Sequence, residues 1–96
     1  MKKYIVEFVG TFFLVFAVCM AGTTAGNFAP IAIGSTLMIM IYAGGYISGA
    51  HYNPGVSIAV MIRGKLSLKD LIMYWIAQIA GGVVAAYLAS HFFHYG

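Results

Sequence analysis

Apolar residues fall into three long runs, and most polar residues lie between them. The runs cover residues 4 to about 24, 31 to about 47, and 68 to about 90. Each is close to the ~20 residues that an α-helix needs to cross a bilayer's hydrocarbon core. The first run carries one charge, Glu7, and the second carries none. Gly22-Thr23-Thr24-Ala25-Gly26-Asn27-Phe28-Ala29-Pro30 separates them and is built of turn residues. Arg63-Gly64-Lys65-Leu66-Ser67 precedes the third run, where Ser67 and Asp70 resemble a capping box with Asp in place of Glu.

A polar break, Ser48-Gly49-Ala50-His51-Tyr52-Asn53-Pro54-Gly55-Val56, follows the second run. Asn is a favoured N-cap, and Pro suits the first helical position, where a backbone N–H has no partner anyway. Asn53-Pro54 therefore predicts a helix start, and the apolar stretch after it predicts a short helix over 54–62. At 1.5 Å per residue such a helix is roughly 13 Å long, half a membrane crossing. Irregular backbone leading into a half-helix is tolerated at membrane depth only where it is buried in protein or lines a cavity. That pattern points to a channel or transporter site.

Composition agrees with the spans. Hydrophobic residues make up 62% of the 96 and charged residues 7%, which is too few to coat a water-soluble surface. The expectation is a single all-α membrane unit over 1–96, with three transmembrane helices and one re-entrant half-helix. The net charge of +3 does not indicate nucleic-acid binding, because the basic residues are Lys2, Lys3, Arg63, Lys65 and Lys69, confined to one terminus and one loop. If the half-helix re-enters, all five lie on one side, which the positive-inside rule makes cytoplasmic. This predicts a multi-pass protein of the plasma membrane with its N-terminus in the cytoplasm. Met1-Lys2-Lys3 and the first run do not read as a cleaved signal, because the run is long and no clean cleavage site follows. The single cysteine, Cys19, lies inside the first run and reads as a packing residue.

Glu7 is an acid inside the first run, near its cytoplasmic end. It could snorkel or pair with Lys3, or it could tie down the backbone of the central break, since an intramembrane charge is costly and commonly functional. Asn53 can cap its helix through its carboxamide oxygen while its NH₂ points into a pore. His51 could be a loop residue or a proton carrier, and no second ligand at suitable spacing supports a metal. His91 and His94 belong to an aromatic tail suited to the membrane interface, and Gln78 reads as a hydrogen-bonding link between helices. Ala77, Gly81, Ala85 and Ala89 recur every four residues and predict a close helix–helix contact. No nucleophile–base pair, paired carboxylates or phosphate loop supports catalysis, and no cofactor is implied.

The segments Glu7-Phe8-Val9-Gly10-Thr11-Phe12-Phe13-Leu14-Val15-Phe16, Ile47-Ser48-Gly49-Ala50-His51-Tyr52-Asn53-Pro54-Gly55-Val56-Ser57 and Tyr74-Trp75-Ile76-Ala77-Gln78-Ile79-Ala80-Gly81-Gly82 come in the order and spacing of a known family. The chain resembles the first half of an aquaporin, or major intrinsic protein. The resemblance implies an inverted repeat of six helices and two half-helices that meet at the midplane, each opening with Asn-Pro-Ala. It implies that Asn53 and Pro54 belong to the signature and that Asn53 donates to passing water. The carbonyls of Gly49, Ala50, His51 and Tyr52 would form an acceptor ladder. The positive end of the half-helix would help exclude protons and cations. Glu7 would anchor the loop.

Three departures stand out. Gly55 replaces the family's Ala, which loosens the first turn by up to about 1 kcal/mol. Ile33 falls where water-selective members carry an aromatic, implying a wider or less strictly water-selective filter. A second Asn-Pro-Ala and a filter Arg after it are missing, and Val56 stands at the equivalent place here. One copy therefore supplies one wall of a pore for water or small neutral solutes and needs a complementary half. An antiparallel homodimer conflicts with the one-sided basic residues, whereas a separate chain or the rest of a longer protein fits. Complete pores would be tetrameric by resemblance. The alternative is a non-conducting protein derived from the family, either truncated or docking onto a membrane partner through the Ala77–Ala89 stripe.

Overall fold

In the computed structural model, residues 1–93 are described, the side chain of Phe93 excepted; His91 and Phe92 of the expected tail continue the last helix, and His94, Tyr95 and Gly96 lie outside the described residues. The elements are α1 (Lys2–Thr24), a 3₁₀ turn (Gly26–Phe28), α2 (Ala29–Ser48), α3 (Pro54–Ile62) and α4 (Leu68–Phe93). No strand occurs among the described residues. The loop between the first two spans is shorter than its composition predicts. Its 26–28 segment winds into a 3₁₀ turn, and Pro30 sits in the first turn of α2, which moves that helix start back to Ala29.

Local chemistry sets the other ends. Gly49 stops α2 in the left-handed conformation, φ +88°, which glycine adopts without a Cβ penalty. Asn53 is extended and opens α3, its Oδ1 accepting from the Gly55 N–H at 2.7 Å. Gly64, φ +78°, closes α3: its N–H donates to Met61 O and the Lys65 N–H to Val60 O, the paired bonds of a Schellman stop. Ser67 Oγ accepts from the Asp70 N–H at 3.1 Å and opens α4. The Asp70 carboxylate does not return to the cap. It pairs with Lys3 Nζ at 2.7 Å and accepts from Tyr4 Oη.

α1 packs against both α2 and α4, and α3 rests on α4. The Lys3–Asp70 pair sets the starts of α1 and α4 side by side, and Ser48 at the end of α2 meets Glu7 of α1. The chain thus leaves α2 and enters α4 at the same end of the bundle, with α3 in between.

At Gly81, α4 lies against the backbone of α1: a Cβ there would strike the Phe8 carbonyl oxygen and lie 3.2 Å from Phe12 N. The buried line on α4 runs Leu71, Tyr74, Gln78, Gly81, Ala85, Ala89, with Ala77 half-buried at its edge. The small-residue stripe is therefore mostly spent inside the chain. Gly81, Ala85 and Ala89 cannot serve as an outer docking face, which corrects that part of the alternative reading.

Large apolar side chains point outward on every helix, while Glu7, Thr11, Ser48, His51, Ser57 and Gln78 are buried. A water-soluble domain distributes them the other way. The three long helices are apolar enough to cross a membrane, and the molecule is an all-α, multi-pass integral membrane protein.

Candidate functional site: a polar loop anchored on Glu7

Glu7 is fully buried where α1, α4 and the 48–53 segment meet. Its Oε2 accepts from Ser48 Oγ at 2.7 Å and the His51 N–H at 3.1 Å. Its Oε1 accepts from the Tyr52 N–H at 2.8 Å and Gln78 Nε2 at 2.9 Å. These four donors stand in for a counter-ion. Hydrogen bonds to a carboxylate are stronger than their neutral equivalents. Lys3 is committed to Asp70, so neither snorkelling nor the Lys3 pair describes Glu7.

These bonds hold the backbone in a costly shape. Ala50 and Tyr52 have φ of +55° and +53°, a region that non-glycine residues rarely enter. Each such residue costs of order 1–3 kcal/mol and needs its surroundings to hold it there. Hydrogen bonds to a charged acceptor contribute about 1.5–3 kcal/mol each, enough to offset the strain. Tyr74 Oη adds a bond to Ser48 O at 2.7 Å, and Trp75 Nε1 one to Pro54 O at 3.1 Å.

Peptide groups of the loop are sorted by polarity. The Gly49 N–H donates to Gly45 O, the Ala50 N–H to Ser48 Oγ, and those of His51 and Tyr52 to Glu7. Among the described residues, the carbonyls of Gly49, Ala50, His51 and Tyr52 accept no hydrogen bond. Asn53 follows them, exposed, with Oδ1 used by the cap and Nδ2 bonded to no described residue. The arrangement is a row of acceptors ending in a donor, at the positive end of α3.

His51 is buried. Ser57 Oγ accepts from Gln78 Nε2 at 3.0 Å and lies 2.8 Å from His51 Nδ1. The ring rests against Tyr74, centroids 4.9 Å apart. Ser57 and Tyr74 are structural members of the site that pattern alone does not single out, since a lone hydroxyl in a helix carries no spacing signal.

A family model, Major intrinsic protein, matches residues 1–95. The chain belongs to the major intrinsic protein family. It is 42% identical over 95 residues to "Aquaporin Z" of Brucella melitensis, covering 90% of this chain and 42% of that protein. It is 43% identical over 94 residues to "Aquaporin NIP1-1" of Arabidopsis thaliana, covering 90% of this chain and 32% of that protein. The chain thus spans less than half the length of these relatives. In this major intrinsic protein, Glu7 meets the 48–52 segment and Pro54 opens α3 beside Trp75. Gly55, whose added Cβ would lie 3.1 Å from Asn53 Oδ1, has only the cap oxygen as a close neighbour. Ile33 does not join the cluster: it is half-buried on α2, about four turns from Gly49.

Proposed function

We propose that residues 49–56 form half of the lining of a channel that passively conducts water or small neutral solutes. The observation that carries this is the sorted loop: its amides are consumed inside the protein while four successive carbonyls and Asn53 Nδ2 remain open. At membrane depth such groups are tolerated only against water or protein. Carbonyls accept from a file of water, Asn53 donates to it, and the positive end of α3 disfavours cations. Ile33 is the proposed selectivity position, and the aliphatic side chain there favours a filter less strict than a water-only one.

The pore is completed by a complementary half, whether it continues the same polypeptide or comes as another chain. The relatives' greater length supports this. Complete pores assemble in the lipid bilayer of the plasma membrane, by family as tetramers. The grouping of the basic residues with the joined starts of α1 and α4 favours a cytoplasmic N-terminus. The chain is one half repeat, and catalysis has no part in the proposal.

Cysteine accessibility tests the lining. In a Cys19→Ala background assembled with the remaining portion of the Brucella melitensis relative, Val56→Cys should react with a membrane-impermeant thiosulfonate. Reaction only with a lipid-soluble maleimide would mean that this face of α3 lies in lipid, contrary to the proposal.

A further inference from the structure

Tyr52 is nearly fully buried, although it stands in the polar break next to an exposed Asn53. Its ring passes between α1 and α2 at two glycines. A Cβ on Gly10 of α1 would fall inside the ring, and a Cβ on Gly44 of α2 would strike the hydroxyl while clearing ring carbon Cζ at 3.8 Å. Tyr52 Oη then donates to Met40 O on α2 at 2.8 Å. The backbone at Tyr52 is left-handed, φ +53°, and its N–H is held by Glu7. One residue is therefore fixed at three points, on α1, on α2 and on the buried carboxylate, immediately before Asn53.

We propose that Tyr52 is a positioning residue. Its ring, seated in a slot made by Gly10 and Gly44 and tied to Met40 O, fixes the left-handed turn that presents Asn53 and the open carbonyls. The strain argues for this role, because a non-glycine residue stays at positive φ only where its surroundings over-determine it. The glycines argue for it too: both are buried and both lie where the ring needs room. The consequence for conduction rests on the channel reading, but the positioning itself does not.

Hydrogen exchange in lipid nanodiscs, read amide by amide, tests it without any flux. Gly44→Ala pushes on the hydroxyl end and also crowds Val6 Cγ1 at 2.5 Å, a contact of a stiff β-branched side chain that the double variant keeps and thereby separates from the Tyr52 clash. The expected result is exchange about tenfold or more faster at the His51 and Tyr52 amides, with protection in the middle of α1 and α4 unchanged. Tyr52→Phe keeps the ring and removes the atom that clashes. Combined with Gly44→Ala, it should bring those two amides back to within about threefold of Tyr52→Phe alone.

Unchanged exchange at 51 and 52 in Gly44→Ala would overturn the proposal. So would uniform loosening of all helices, or additive effects in the double variant. If the exchange pattern holds but pores assembled with a complementary half carry no water, the channel reading fails and the positioning role stands.

Discussion

At the scale of single residues, the site depends on which peptide atoms are used. Glu7 takes up the amides of His51 and Tyr52, and the carbonyls between Gly49 and Tyr52 are left open by the same stroke. Glu7→Gln replaces one carboxylate oxygen with an NH₂ that faces donors, so bonds are lost without a steric change. Each lost charge-assisted bond should cost about 1.5–3 kcal/mol, read as a lower detergent-unfolding midpoint and faster exchange at the 51 and 52 amides. Glu7→Asp, which keeps the charge but shortens the reach, should fall between. The role of Glu7 was half legible in the sequence: an acid inside an apolar run demands a reason, but its four partners come from two distant stretches. Ser48, His51 and Tyr52 lie more than forty residues away in the chain, and Gln78 lies 71 away. Ser57 illustrates what was not legible, because its link to His51 and Gln78 exists only once α3 lies on α4.

At the scale of elements, the bundle turns on the approach of α1 and α4. Gly81→Ala would drive a methyl group into the Phe8 carbonyl, and backbone cannot rotate away as a side chain can. The expected loss is about 1–3 kcal/mol of helix–helix stability. Gly82→Ala, one residue on, meets only Val15 Cγ2 at 3.5 Å and should be neutral or gain up to about 1 kcal/mol of helix propensity. Detergent unfolding of the two variants side by side checks the contrast. The four-residue period of Ala77, Gly81, Ala85 and Ala89 made a close contact legible, but not its partner. A stripe of small residues has the same pattern whether it meets a helix of its own chain or another protein. The actual buried line drifts from that period through Tyr74 and Gln78, which leaves Ala77 at the edge. The short helix was legible to its ends, since Asn53-Pro54 and Gly64 are strong local stops whose bonds lie within a few residues.

At the scale of the molecule, the five basic residues and the Lys3–Asp70 pair put the start of α1 and the 63–69 loop at one end. Lys65→Cys, in a Cys19→Ala background, should therefore be labelled by an impermeant thiol reagent from the cytoplasmic side alone. Labelling from the opposite side would reverse the orientation. The exposed apolar surface of α2, where only Gly44 and Ser48 are buried, fits lipid or a second half equally well. A pattern of apolar residues does not distinguish those neighbours, so the architecture of this chain was legible and what covers α2 was not. In the proposed function, this chain supplies one wall of a pore. The most direct test is stopped-flow osmotic shrinkage of proteoliposomes that hold the chain alone, the chain with the remaining portion of the Brucella melitensis relative, or that pair with Asn53→Ala. Shrinkage should run at the empty-vesicle rate for the chain alone, rise clearly for the pair, and change with the substitution. No increase from a well-inserted pair, or a flux indifferent to Asn53, would contradict that function.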